Sequence, residues 1–254
     1  MYLKEREIVS SCCKPCRNVE GWKLMPTHHS FKSRTAIVGS IPSSKSSLHM
    51  VHYRGLLQRA YIYLLEYDDQ VSSYEERPFS ISYRVSSKRI CQYTPDFRVF
   101  WKDQRPRLIT CMTSTAANAR PSPPHLTAVQ LWCQAHHHDF ALITEVLLQS
   151  HGTLLSNLEL LTVHAFSPIP PQTYEYLLNT IISIGGPFSS EELVQRTPLL
   201  HPIQTKSAVF HLIYHGELLT DLTQPLHCST TSLLWKGQRS HTATPALSPN
   251  AGHQ

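Results

Sequence analysis

Tyr93-Thr94-Pro95-Asp96-Phe97, continuing to Trp101, and then Leu108-Ile109-Thr110-Cys111-Met112 read as two neighbouring strands joined by a turn at Lys102-Asp103-Gln104. Strand side chains alternate faces with period two, so Thr110 and Met112 point the same way on the second strand. A carboxylate that directly follows a proline, Asp96, opens the first strand. A Pro-Asp at such a position caps a turn when it stands alone. Placed beside a second apolar strand, it is also where a sheet presents an acid next to whatever its neighbour displays.

Outward from this pair, the apolar residues Val51, Leu56, Leu57, Tyr61, Leu64 and Leu65 recur at steps of three and four and predict an amphipathic helix over residues 48–66, ending near Asp68-Asp69. Residues 71–74, 79–85, 94–101 and 108–111 predict a small strand meander. Residues 116–124 are rich in Ala, Pro and Ser and read as a loop leading to a helix over 126–136, a short buried strand over 140–144 and a helix over 154–161. Ser167-Pro168-Ile169-Pro170-Pro171 is a stiff linker and the expected domain boundary. Beyond it, helices are predicted over 174–184, 190–197 and 205–215. Ser189-Ser190-Glu191-Glu192 caps the second, and a closing strand pair spans 218–221 and 232–235. Three helices with a terminal hairpin form a winged-helix pattern. Residues 1–31 are expected to be an irregular lead segment and residues 236–254 a disordered tail.

A chain of 254 residues with 41% hydrophobic content can bury one sizeable core or two small ones. No stretch approaches the length of a membrane helix and the N-terminus has no apolar leader, so a soluble cytoplasmic protein without membrane contact is expected. Seven irregularly spaced cysteines fit reduced thiols better than a disulfide framework. The net charge of +5 is uneven: residues 1–60 hold ten Lys/Arg against three Asp/Glu, whereas residues 167–235 hold two against five. The basic first quarter of the chain is therefore where phosphate contact is expected, with Lys32, Arg34 and Lys45 as candidate cations; a solvated segment has the same composition.

The order of elements and several local strings resemble the TnsA family, the endonuclease subunit of heteromeric transposases that nicks transposon ends. The resemblance runs over residues 32–235: Ile41-Pro42-Ser43-Ser44-Lys45 resembles the lead-in, and Leu56-Leu57-Gln58-Arg59 with residues 61–67 the first helix. Residues 74–79 resemble the strand that follows, Tyr93 to Phe97 the aspartate motif, and residues 140–145 the strand that closes the sheet. It implies an α/β restriction-endonuclease-like domain over 32–166, with a mixed sheet flanked by helices, and a small winged-helix domain over 172–235. It also implies magnesium as cofactor, and DNA, a DDE transposase subunit and an AAA+ regulator as partners. Carried across position by position, the helix acid falls on Gln58, the Pro-Asp acid on Asp96, and the acid and lysine of the neighbouring strand on Thr110 and Met112. Asp96 alone keeps its chemistry and is the one remaining metal ligand.

Magnesium-dependent phosphodiester cleavage needs oxygen ligands for one or two hard cations and an activated water. Gln58 offers a neutral amide, Thr110 a hydroxyl and Met112 only a thioether. Glu66, Asp68, Glu75 and Glu76 lie nearby in sequence and are expected to face solvent. The expectation is a catalytically impaired member of the family that acts as an interaction and DNA-contact subunit. The alternatives are an active nicking enzyme with a rearranged acid set and a winged-helix DNA-binding regulator. In the predicted recognition helix Thr205, Lys206, His211 and His215 are the polar positions; Lys206 is the one cation, which favours a protein partner over DNA. Cys13-x-x-Cys16 with His28 or His29 has zinc ligand types but no second close pair, and His136-His137-His138 points in different directions at a helix end. The first reads as unliganded loop residues, with zinc left open, and the second as structural.

Overall fold

The computed structural model describes residues 37–86 and 89–237. Chain contacts divide it into two units, Met1–Ser150 and His151–Gln254. Within the first, β1 (Val38–Pro42) and β2 (Met50–Arg54) form an antiparallel hairpin that leads into α1 (Leu56–Tyr67). The single helix predicted over residues 48–66 is thus a strand and a helix. Val51 is fully buried as a strand residue, and Gly55 at φ +93° supplies the break, in a conformation that side chains disfavour.

Next come β3 (Val71–Glu76), β4 (Ile81–Ser86), β5 (Arg89–Tyr93), β6 (Phe97–Trp101) and β7 (Arg107–Cys111). They are followed by α2 (Ser114–Ala117), α3 (Pro124–Ala135), β8 (Asp139–Ile143) and α4 (Glu145–Gln149). The expected meander is replaced by a mixed four-stranded sheet in the order β3-β6-β7-β8, antiparallel except for the β7–β8 pair. A parallel pair needs a crossover, which the α2–α3 segment provides. Among the described residues strands β4 and β5 pair only with each other, so β3 takes β6 as its neighbour.

Helices cover both faces of this sheet. On one, the rings of Tyr61 from α1 and Tyr74 from β3 meet Phe97 at 5.9 and 6.2 Å. On the other, Val129, Trp132 and Cys133 of α3 pack with Phe79, Ile81 and Leu108, with Tyr93 and Phe140 at the margin. Each such large apolar side chain contributes about 1.5–3 kcal/mol on burial. Between the two layers Leu108, Ile109 and Thr110 of β7 are all fully buried.

The second unit contains α5 (Gly152–Ala165), α6 (Pro171–Ile184), α7 (Ser190–Arg196), α8 (Pro202–Tyr214), β9 (Leu218–Leu219) and β10 (Leu234–Trp235). Strands β9 and β10 are antiparallel, and Phe188 bridges to Leu233. The predicted cap of α7 is present, with the Ser189 hydroxyl accepting from the Glu192 N–H at 3.1 Å. Helix α8 starts earlier than its apolar pattern predicts because His201 and Gln204 cap it reciprocally around Pro202. The expected boundary at residues 167–171 falls between α5 and α6, inside this unit. Helix α5 packs along α8, and the buried Asn157 donates to the Leu222 and Gln224 carbonyls at 2.9 and 2.8 Å and accepts from the Leu226 N–H at 3.2 Å. The prolines end a helix without ending the unit.

Among the described residues no helix is long and apolar enough to cross a membrane, and Cys91, Cys111, Cys133 and Cys228 are free thiols.

Candidate functional site

A cleft of about 180 Å³ opens in the first unit, lined by His52, Arg54, Gln58, Glu76, Arg77, Thr94 and Asp96. Its floor is set by the turn that Gly55 makes. That turn places the first turn of α1 against the end of β2, so the Arg54 N–H donates to Gln58 Oε1 at 2.6 Å. With its oxygen held by a backbone donor, the Gln58 amide must present its nitrogen on the other side, and Nε2 donates to Asp96 Oδ1 at 2.6 Å. The second Asp96 oxygen accepts from the Cys111 N–H, also at 2.6 Å. The main chain holds Asp96 as well: its N–H donates to Ile109 O at 2.9 Å and its carbonyl accepts from the Arg77 N–H at 2.8 Å.

Burial pushes the Asp96 carboxyl up to about 6, against the opposing pull of the Cys111 N–H, the Gln58 amide and the Arg77 charge. The neighbouring Cys111 thiol is pushed well above its ordinary range by burial and then by the Asp96 charge, which disfavours the thiolate. Burial and the nearby Arg54 lower Arg77, opposed by Asp96 and Glu76, so the guanidinium lies in a partly desolvated, mixed-charge setting.

Glu76 is the residue that sequence reasoning misplaced. Its side chain is only 6% exposed, Oε1 meets His52 Nδ1 at 2.9 Å, and Oε2 accepts from the His52 main-chain N–H. The remaining nearby acids are also engaged. Glu66 accepts from Ser43, Ser44 and Tyr74, Glu75 from Arg98, and Asp68 from Trp101 and Gln70. No local pattern marks Glu76, because the cleft is made by pairing β3 with β6 and by laying β2 beside it.

Of the four positions predicted from the resemblance, Gln58 and Asp96 come together and line the cleft. Thr110 and Met112 do not line it. Thr110 is fully buried and its hydroxyl accepts from Tyr93 OH at 3.1 Å, on the side where Tyr93 stacks on His125 of α3 at 4.4 Å. Burial, then the Asp96 charge, raises the Tyr93 phenol, so it stays a proton donor to Thr110. Met112 is half-buried, and its N–H extends the β7–β8 ladder to Ile143 O at 3.0 Å. Thr110 thus turns to the α3 side of the sheet, where Tyr93 borders the core.

The expected DNA-contacting cations have varied settings. Lys45 donates to the Leu65 and Asp68 carbonyls at 2.8 and 2.6 Å, where a cation suits the C-terminus of α1, and desolvation lowers its ammonium. Lys206 is half-buried on α8 beside the buried Thr205. His211 and His215 bond the His164 and Ala165 carbonyls of α5 at 3.2 and 2.8 Å, so α5 covers that face of α8. Lys32, Arg34, Cys13, Cys16, His28 and His29 lie outside the described residues. In the histidine run, His136 bonds Trp132 O at 2.8 Å and stacks on the Trp132 ring at 4.1 Å. His138 bonds the His136 carbonyl at 2.9 Å.

The donor set does not fit magnesium. A hard divalent cation requires several oxygen ligands. Here both Asp96 oxygens accept N–H groups, and Gln58 faces Asp96 with its nitrogen. Among the described residues no group of three or more His, Cys, Asp and Glu side chains is arranged to hold a metal ion. What the arrangement does offer is a hydrogen-bonded carboxylate staple joining α1 and β7 at the start of β6, in a cleft that also holds two guanidiniums and an imidazole. Comparison with protein-family models gives no match, and comparison with curated proteins gives none.

Proposed function

We propose that the chain is a TnsA-like transposition protein whose restriction-endonuclease-like domain is catalytically silent, and which acts with a winged-helix module as an interaction and DNA-contact subunit of a transposase complex. The observation that carries the reading is the Gln58–Asp96 contact. An amide N–H stands against the carboxylate where an active site would need a cation, and its orientation is imposed by the Arg54 N–H. The covering of α8 by α5 supports a protein-facing role for the second unit, since His211 and His215 are spent on α5 carbonyls. A DDE transposase subunit and an AAA+ regulator are the partners this reading names.

A second reading, an active nicking enzyme with a rearranged acid set, draws on Glu76, which shares the cleft with Asp96. Supercoiled-plasmid nicking with magnesium or manganese, with and without the transposase partner, separates the two. The silent reading expects no nicking by the native protein. Nicking that disappears in both Asp96→Ala and Glu76→Ala establishes the second.

A further inference from the structure

We propose that the β4–β5 ribbon is a duplex-DNA contact arm that rises from the rim of the Asp96 cleft and engages the phosphate backbone through Arg84 and Arg89. The proposal rests on the reading of the chain as a DNA-contacting subunit and names where that contact is made.

Four observations converge on the ribbon. Among the described residues it is a two-stranded sheet of its own, hydrogen-bonded to no other strand. Its base is anchored: Ile81 and Phe79 are buried in the α3 core, Phe79 meets Trp132 at 4.7 Å, and the Ser80 and Thr94 hydroxyls pair at 2.6 Å across the two strands' origins. Its outer half is open, with Arg84, Val85, Ser86, Arg89 and Ile90 all exposed, Val85 by 45% and Ile90 by 67%. Residues 77–95 contain no Asp or Glu, and among the described residues neither Arg84 nor Arg89 forms an ion pair.

Dimensions and position then select the partner. The six residues of β4 span about 20 Å at the strand rise, and a two-stranded ribbon fits the major groove of a duplex. The register shift between Arg84 and Ser86 is a bulge, which adds twist to the ribbon. Exposed cations next to small apolar side chains also suit an acidic lipid surface. Nucleic acid is favoured because the chain on either side of the ribbon lines the cleft, at Arg77 before β4 and Thr94 after β5, and the same cleft carries the guanidiniums of Arg54 and Arg77.

The test is fluorescence anisotropy of a labelled random duplex with the full chain in EDTA, over a salt series, for the native protein, R84Q/R89Q and R84K/R89K. The expected result is at least a ten-fold loss of affinity in R84Q/R89Q, with the slope of log K against log salt shallower by about 1.8. R84K/R89K keeps both values near native, and thermal unfolding is the same for all three because the side chains are exposed. Unchanged affinity and slope in R84Q/R89Q, or no duplex binding by the native protein, overturns the proposal. So does two-residue-dependent binding to phosphatidylserine vesicles in place of DNA. EDTA keeps cleavage out of the measurement. A native protein that nicks plasmid in separate assays yet needs Arg84 and Arg89 for affinity overturns catalytic silence and leaves the arm standing. A silent protein whose affinity ignores both arginines overturns the arm alone.

Discussion

Gln58 donates its side-chain N–H to Asp96 at 2.6 Å, and the direction of that bond is fixed from behind, because the other end of the amide accepts from the Arg54 main chain. The consequence is a carboxylate satisfied without a cation. Replacing Gln58 with Glu reverses this balance, since it converts the donor facing Asp96 into an acid.

Gln58→Glu is therefore expected to destabilise the metal-free protein by roughly 1–3 kcal/mol at neutral pH, the cost of losing a bond to a buried charged group and facing two carboxylates together. Manganese is expected to restore part of this, because the two acids then supply oxygen ligands. Urea denaturation with and without manganese checks both. Equal stability of the variant and the native protein in EDTA would show that the 2.6 Å contact contributes nothing.

The raised Asp96 carboxyl gives a pH signature. The group binds its proton more tightly in the folded chain, at about 6, than in the unfolded one, near its ordinary value of 3.8. Its contribution is thus fully present below about pH 4 and is lost as pH rises through about 6. The loss is on the order of 3 kcal/mol at 1.36 kcal/mol per unit. Stability measured by urea from pH 4 to 7 should fall in the native protein by this component, and the component should vanish in Asp96→Asn. A native-like slope in that variant assigns the pH dependence elsewhere.

Thr110 and Met112 provide a negative control with structural content. Thr110→Val removes the acceptor of the Tyr93 hydroxyl inside the α3-facing core and should cost about 1 kcal/mol of stability. Duplex affinity in the anisotropy assay should be unchanged in both Thr110→Val and Met112→Leu. A selective loss of affinity without loss of stability would place these residues on the DNA-facing surface after all.

The domain boundary can be tested with fragments. A fragment of residues 151–237 is expected to fold, as judged by dispersed amide resonances and cooperative melting, whereas residues 168–237 should not. The shorter piece lacks α5 and with it Asn157, whose three hydrogen bonds are made in a buried setting. Within the full chain, Asn157→Ala should destabilise the second unit by about 2–4 kcal/mol through the unpaired Leu222, Gln224 and Leu226 groups. A cooperative fold for residues 168–237 would restore the boundary to the proline linker.

Local pattern carried most of the helices and the strands that build the central sheet. The 3.6-residue period marked α1, the preceding Ala, Pro and Ser loop marked the start of α3, the Ser189 cap marked α7, and strand-like apolar runs marked β6 and β7. Local pattern failed at β2, where Val51 supplied an apolar residue at helical spacing while its neighbours were forming a strand. It also missed β5, whose residues Arg89, Ile90 and Gln92 are exposed and so lack a buried stripe to betray them.

By itself the sequence determined that Asp96 follows a proline at a strand start, that Gln58 lies on a helix, and that the chain is mixed α/β; that Gln58 falls in the first turn of that helix came from the structure. These are consequences of backbone preferences and side-chain periodicity over a few residues. Only the tertiary structure decided that Gln58 and Asp96 touch across 38 positions, that Glu76 joins them, and that Thr110 turns instead to Tyr93. The reason is that strand order is set by which faces can be buried together. With β4 and β5 pairing apart, β3 falls beside β6 and carries Glu76 into the cleft, while the second layer of core under α3 claims the face that Thr110 occupies.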